Sequence, residues 1–170
     1  MPGEAEQSRS EEEIQLNGTK GQYPKRFLTD PIRLINGSIQ ESHPDIMERM
    51  INDAAELGVE LIGNYEGNVA YAPGLFRGQP GQLHVNPNNS YLAWLHEYKH
   101  LQDDARDGWP GFRALRDVER SVRMEWDAYA IEIAYAEQNG YYGIAELLRR
   151  NRDTEIKRLR SGKADYSKSD

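Results

Sequence analysis

A chain of 170 residues is long enough to close one domain around a hydrophobic core. Its formal net charge of −7, from 28 acidic against 21 basic side chains, argues against general binding to nucleic acid or to an anionic membrane. No apolar run approaches transmembrane length, and zero cysteines exclude disulfides and leave His, Asp and Glu as the strong metal ligands.

Residues 1–20 are rich in Glu, Ser and Gly with little apolar content, which predicts a disordered tail or linker ahead of a domain over 21–160. Residues 1–13 have neither a basic start nor an apolar stretch, so no signal peptide is expected and the place of action is cytoplasmic. Scattered apolar residues among Pro24, Pro31 and Gly37 predict an irregular, partly packed segment over 23–40. Pro44, followed by Ile46, Met47, Met50, Ile51, Ala54 and Leu57 at helical spacing, predicts a helix that Gly58 ends. Strands are expected at 59–62 and 69–72, flanking a turn with Asn64, Gly67 and Asn68, and at 82–86; Pro and Gly make 73–81 a loop.

Asn88, Asn89 and Ser90 are N-cap candidates for an uninterrupted helix that ends before Gly108-Trp109-Pro110-Gly111. That helix carries His96-Glu97-Tyr98-Lys99-His100, an H-E-x-x-H motif. One helical turn separates the imidazoles, so they project from one face and can share a Zn²⁺ ion. Glu97 is placed to accept a proton from water that the metal activates, the role of the general base in zinc peptidases. A long helix is expected over 112–139, a last one over 141–160, and a polar tail over 161–170. Helices packed on a three- or four-stranded sheet make an α+β domain, in the element order of zincin-type metallopeptidases.

A catalytic zinc needs a third protein ligand. The helix after Gly111 presents a stripe of Val118, Val122, Trp126, Tyr129, Ile133 and Ala136, and Glu125 sits at its edge. A carboxylate aimed at an apolar interface is costly unless it is paired or metal-bound, which favours Glu125 over Glu119, Asp127 and Glu132. Glu132 is an alternative ligand or an orienting group. Asp103 and Asp104, three and four residues after His100, could orient its ring or could be a solvated helix end. Tyr129, Tyr98 and His84 are the possible oxyanion donors, against a plain structural role. The strand at 82–86 is a possible edge for pairing with a substrate backbone. Arg113, Arg116, Arg120 and Arg123, and the basic residues of 149–160, read as ion-paired solvated faces, or alternatively as a dock for an acidic partner.

The segments Leu95-His96-Glu97-Tyr98-Lys99-His100-Leu101-Gln102-Asp103-Asp104, Gly108-Trp109-Pro110-Gly111 and Arg123-Met124-Glu125-Trp126-Asp127-Ala128-Tyr129 resemble the H-E-x-x-H metallopeptidase toxin domains of bacterial polymorphic, Rhs-type toxins. The resemblance covers about residues 44–160. It implies a zincin-like fold, zinc as cofactor, Glu125 as third ligand, a protein or peptide substrate, delivery by a secretion system and a cognate immunity protein. A zinc amidohydrolase acting on a non-peptide or cell-wall bond is the alternative enzyme, and a non-catalytic zinc-binding module the alternative outside enzymes. An intact Glu97 speaks against the module, since a structural site has no need of a base there.

Overall fold

The computed structural model describes residues 13–16, 19–22, 30–64 and 66–162. Strands β1 (Glu13–Leu16) and β2 (Thr19–Gln22) pair antiparallel, so the stretch expected to be a tail ends in a short hairpin. The expected tail at 163–170 and most of residues 1–20 lie outside the described residues. Two single-turn helices follow, α1 (Arg33–Asn36) and α2 (Ile39–Ser42), where an irregular segment was expected. The second forms because Ser38 and Glu41 make a reciprocal capping box that satisfies two otherwise orphan backbone donors.

Helix α3 (Pro44–Glu56) starts on its proline and stops before Gly58, whose φ of 82° needs a residue without a Cβ. Strands β3 (Glu60–Gly63), β4 (Ala70–Ala72) and β5 (Gln82–Val85) form one sheet in the order β3-β5-β4. Strand β5 runs parallel to β3 and antiparallel to β4. The strands on either side of the Asn64–Asn68 region do not pair with each other, because β5 lies between them. One expectation is corrected by this order. Strand β5 has neighbours on both sides, so it offers no free edge to a substrate; β4 and β3 are the edges.

Helix α4 (Tyr91–Arg106) begins on Ser90, whose Oγ accepts from the Ala93 N–H. Asp30 accepts from the Ser90 N–H at 2.8 Å and from its hydroxyl, tying the cap to a segment sixty residues upstream. A 3-10 helix (Phe112–Arg116) and then helix α5 (Val118–Gln138) replace the single expected helix over 112–139. The break is at Asp117, whose side chain caps α5 by accepting from the Arg120 N–H at 3.0 Å. Gly140, at φ 75°, separates α5 from helix α6 (Tyr142–Arg160).

Helix α4 is buried on two sides. Leu92 packs with Ile32, Ile133, Ala136, Ile144 and Leu148 against α5 and α6. Trp94 and Leu101 pack with Met50, Ala54, Val59, Val69 and Leu83 against α3 and the sheet. Each of the Leu, Ile, Val and Met side chains contributes roughly 1.5–3 kcal/mol on leaving water, so α4 is held as a rigid spine between both layers. The class is α+β. Among the described residues, no helix is long and apolar enough to cross a membrane.

Candidate metal centre

The i, i+4 spacing on α4 sets the His96 and His100 rings with centroids 4.8 Å apart and planes at 83°. Helix α5 packs across that face and brings in Glu125, whose Oε2 lies 3.2 Å from His96 Nε2 and whose Oε1 lies 3.2 Å from His100 Nε2. The three donor atoms all fall within 4.8 Å of one another. Tetrahedral zinc with bonds of about 2.0–2.1 Å sets its ligand atoms roughly 3.3 Å apart. Two imidazole nitrogens and a carboxylate within 4.8 Å of one another need only a small closing of the cluster to reach that spacing, so His96, His100 and Glu125 could hold a metal ion.

Charge is stored in the cluster. Burial pulls the His96 pKa down, but its hydrogen bonds to Glu125 and Glu132 with the Glu132 and Glu97 charges outweigh it, leaving His96 well above the ordinary histidine range. Burial pushes Glu125 up, yet His100 and His96 more than reverse this and hold its carboxyl far below the usual carboxylate range. Glu132 accepts from His96 Nδ1 at 2.8 Å, and complete burial keeps its own pKa raised. This contact fixes the His96 ring so that Nε2 faces Glu125. His100 has no counterpart: its Nδ1 is buried without a hydrogen-bond partner among the described residues.

Asp103 and Asp104 do not orient His100. Asp103 is buried between Lys99, one turn back, and Arg106, whose guanidinium lies 3.1 Å away. Asp104 accepts from the Tyr71 hydroxyl and from Arg120, both at 2.9 Å. Neither is a solvated helix end, since both are under 4 % exposed. Arg120 also bonds Asp107 at 2.9 Å, so this arginine turns inward rather than joining a solvated face.

Of the other acids weighed as ligand, Glu119 meets Arg160 at the surface and Asp127 is exposed. Of the possible oxyanion donors, Tyr129 stands edge-on to the His96 ring with centroids 4.7 Å apart, and burial drives its hydroxyl pKa up. Tyr98 donates to Asp53 on α3, away from the cluster. His84 alternates along β5 with buried Leu83, which puts it on the sheet face opposite α4.

Glu97 is held by a group that no local pattern marks, since it lies 26 residues away in sequence. Its Oε2 accepts from the backbone N–H of Tyr71, on edge strand β4, at 2.8 Å. A cavity of about 150 Å³ touches His96, Glu97, Tyr129 and Glu132. A larger one of about 310 Å³ has His100 and Glu125 in its wall with Tyr71, Pro73, Leu115 and Met124. The basic residues of α6 are largely ion-paired, as in Arg150–Glu146 and Arg160–Glu119, and Arg152 lies 4.0 Å over the Trp126 ring. No protein-family model matches the chain, and no curated protein or solved structure gives a significant match to it.

Proposed function

We propose that this protein is a zinc-dependent hydrolase of peptide bonds with Glu97 as its general base. The observation that carries this reading is the convergence of His96, His100 and Glu125, with ligand atoms within 4.8 Å of one another, one residue from a carboxylate that is not among the ligands. A bound Zn²⁺ supplies an acidified water and an electrophilic partner for the carbonyl oxygen. Glu97 then takes the proton of the attacking water and passes it to the departing amine nitrogen. The Tyr71 N–H fixes where that carboxylate sits, and Glu132 fixes the ring that neighbours it.

The helix that carries the motif, the ligand supplied from the next long helix and a sheet whose edge strand β4 lies beside the motif helix support a zincin-like domain of the gluzincin type. The resemblance to polymorphic-toxin peptidase domains supports action as a delivered bacterial effector opposed by an immunity protein. The decisive experiment compares wild type with Glu97→Gln. The variant keeps the side chain's size but loses the base, so it should retain one zinc per chain while proteome-wide cleavage falls about 10²–10⁴-fold. Equal cleavage by the two proteins overturns the assignment.

A further inference from the structure

Beside the larger cavity lies an exposed surface that the proposed chemistry does not use. The loop after β4 carries Leu75 and Phe76, 70 % and 73 % exposed, at its outermost turn. Their exposure is not slackness, because the loop is fastened. The Gly78 N–H donates to the Trp109 carbonyl at 2.7 Å, and the Gln79 N–H to that of Phe76 at 3.1 Å. Gly111 comes so close that a Cβ there would stand 2.9 Å from the backbone of Phe76 and Arg77. Gly111 and Pro73, which flank these contacts in sequence, both line the cavity that reaches His100 and Glu125.

The 3-10 helix after Gly111 extends the surface. Residues three apart eclipse in such a helix, so Phe112, 43 % exposed, stands on the same side as Leu115 in the cavity wall. The apolar lining therefore runs outward to the lip. Arg113 and Arg116 eclipse each other likewise, and both are exposed, as is Arg77. Among the described residues none of these three arginines has an acidic partner, although most of the α6 arginines do. In a chain of net charge −7, three such cations beside large apolar side chains form a local exception.

We propose that Leu75, Phe76 and Phe112, with Arg77, Arg113 and Arg116, form a docking surface for an extended polypeptide segment bearing acidic and apolar side chains. This deepens the peptidase reading, on which it rests, by giving the class of substrate: a polypeptide with such a segment beside the bond to be cut. The surface suits that occupant on charge and continuity, since cations and apolar groups meet at the lip of the cavity.

Binding is tested with zinc-loaded Glu97→Gln protein, so that no cleavage is needed. The probe is a short fluorescein-labelled peptide alternating Asp with Phe and Leu; a control carries Lys in place of Asp. The acidic peptide should bind in fluorescence anisotropy, and the Lys peptide should bind at least about tenfold more weakly. Leu75→Ser with Phe76→Ser, and separately Arg113→Glu with Arg116→Glu, should each weaken binding about tenfold or more while zinc content stays at one per chain. Indifference to both double substitutions overturns the proposal. So does patch-dependent binding to phosphatidylserine vesicles in place of the peptide, which would make the surface a membrane contact. The two readings fail separately. Cleavage without patch-dependent binding removes only the docking surface, and binding without cleavage by wild type removes only the peptidase.

Discussion

Glu132 Oε2 lies 2.8 Å from Nδ1 of His96, while Nε2 of the same ring lies 3.2 Å from Glu125. One imidazole is thus gripped at both ends by carboxylates seven residues, or two turns, apart on α5. The outer contact fixes ring and tautomer, and the inner one shares the ligand position. Glu125→Gln should therefore abolish stoichiometric zinc, because a neutral amide replaces the anionic ligand. Glu132→Gln should cost about 10–100-fold in affinity, the usual effect of removing a group that orients a ligand. Zinc titration with a chromophoric chelator separates the two. Equal losses would make Glu132 a ligand as well.

Much of this was legible because it is local. The motif helix, its Ser90 cap and the face of Glu125 follow from three- and four-residue spacing, and helical geometry turns that spacing into direction. What failed was long-range. Asp103 and Asp104 stand at the right offset to serve His100, yet Asp104 is claimed by Tyr71 and Arg120, 33 and 16 residues away in sequence. The β3-β5-β4 order depends on a strand that arrives after the turn has been made, so the turn residues carry no trace of it. Asp117 was a readable signal that was missed: an Asp three residues before a backbone donor marks a helix start. Trp126 belongs to the apolar stripe by spacing but is half exposed, with the Arg152 guanidinium over its ring.

Asp104 and Arg120 join α4 to α5 beneath the larger cavity, their side chains 4 % and 14 % exposed. Breaking such a pair from one side leaves a buried charge behind. Arg120→Met should destabilise the protein by about 3 kcal/mol, since Asp104 then keeps only the Tyr71 hydroxyl. Tyr71→Phe should cost less, about 1–2 kcal/mol, because the arginine still neutralises Asp104. Urea unfolding of the zinc-free proteins measures both. A smaller loss for Arg120→Met than for Tyr71→Phe would contradict this ranking.

Ser90 is fully buried and works in two directions, accepting from the Ala93 N–H and donating to Asp30. Ser90→Ala removes the cap and strands part of the Asp30 carboxylate. The expected loss is about 2 kcal/mol, at the upper end for an N-cap. Ser90→Thr, which keeps the hydroxyl, should recover part of it. No recovery would show that the site rejects the extra methyl more strongly than it needs the cap.

The charges stored at the cluster make zinc-free and zinc-loaded protein respond oppositely to pH. Without metal, Glu125 titrates far below its ordinary 4.5 and His96 well above its ordinary 6.5. A depressed carboxylate pKa gives stability that is complete above about 4.5 and is lost as pH falls through the folded value. A raised histidine pKa gives stability that is complete below 6.5 and is lost as pH rises through the folded value. The cluster thus stabilises the zinc-free protein most between these limits, and that contribution fades on the alkaline side. Zinc requires His96 to give up the same proton, so its affinity rises over the range in which the zinc-free fold weakens. Thermal unfolding from about pH 6 to about pH 8 should show the zinc-free Tm falling relative to that of Glu125→Gln, while the increment from added zinc grows. Parallel zinc-free profiles for the two proteins would mean that Glu125 does not hold the extra proton on His96, and its part in the stored-charge account of the site would fail.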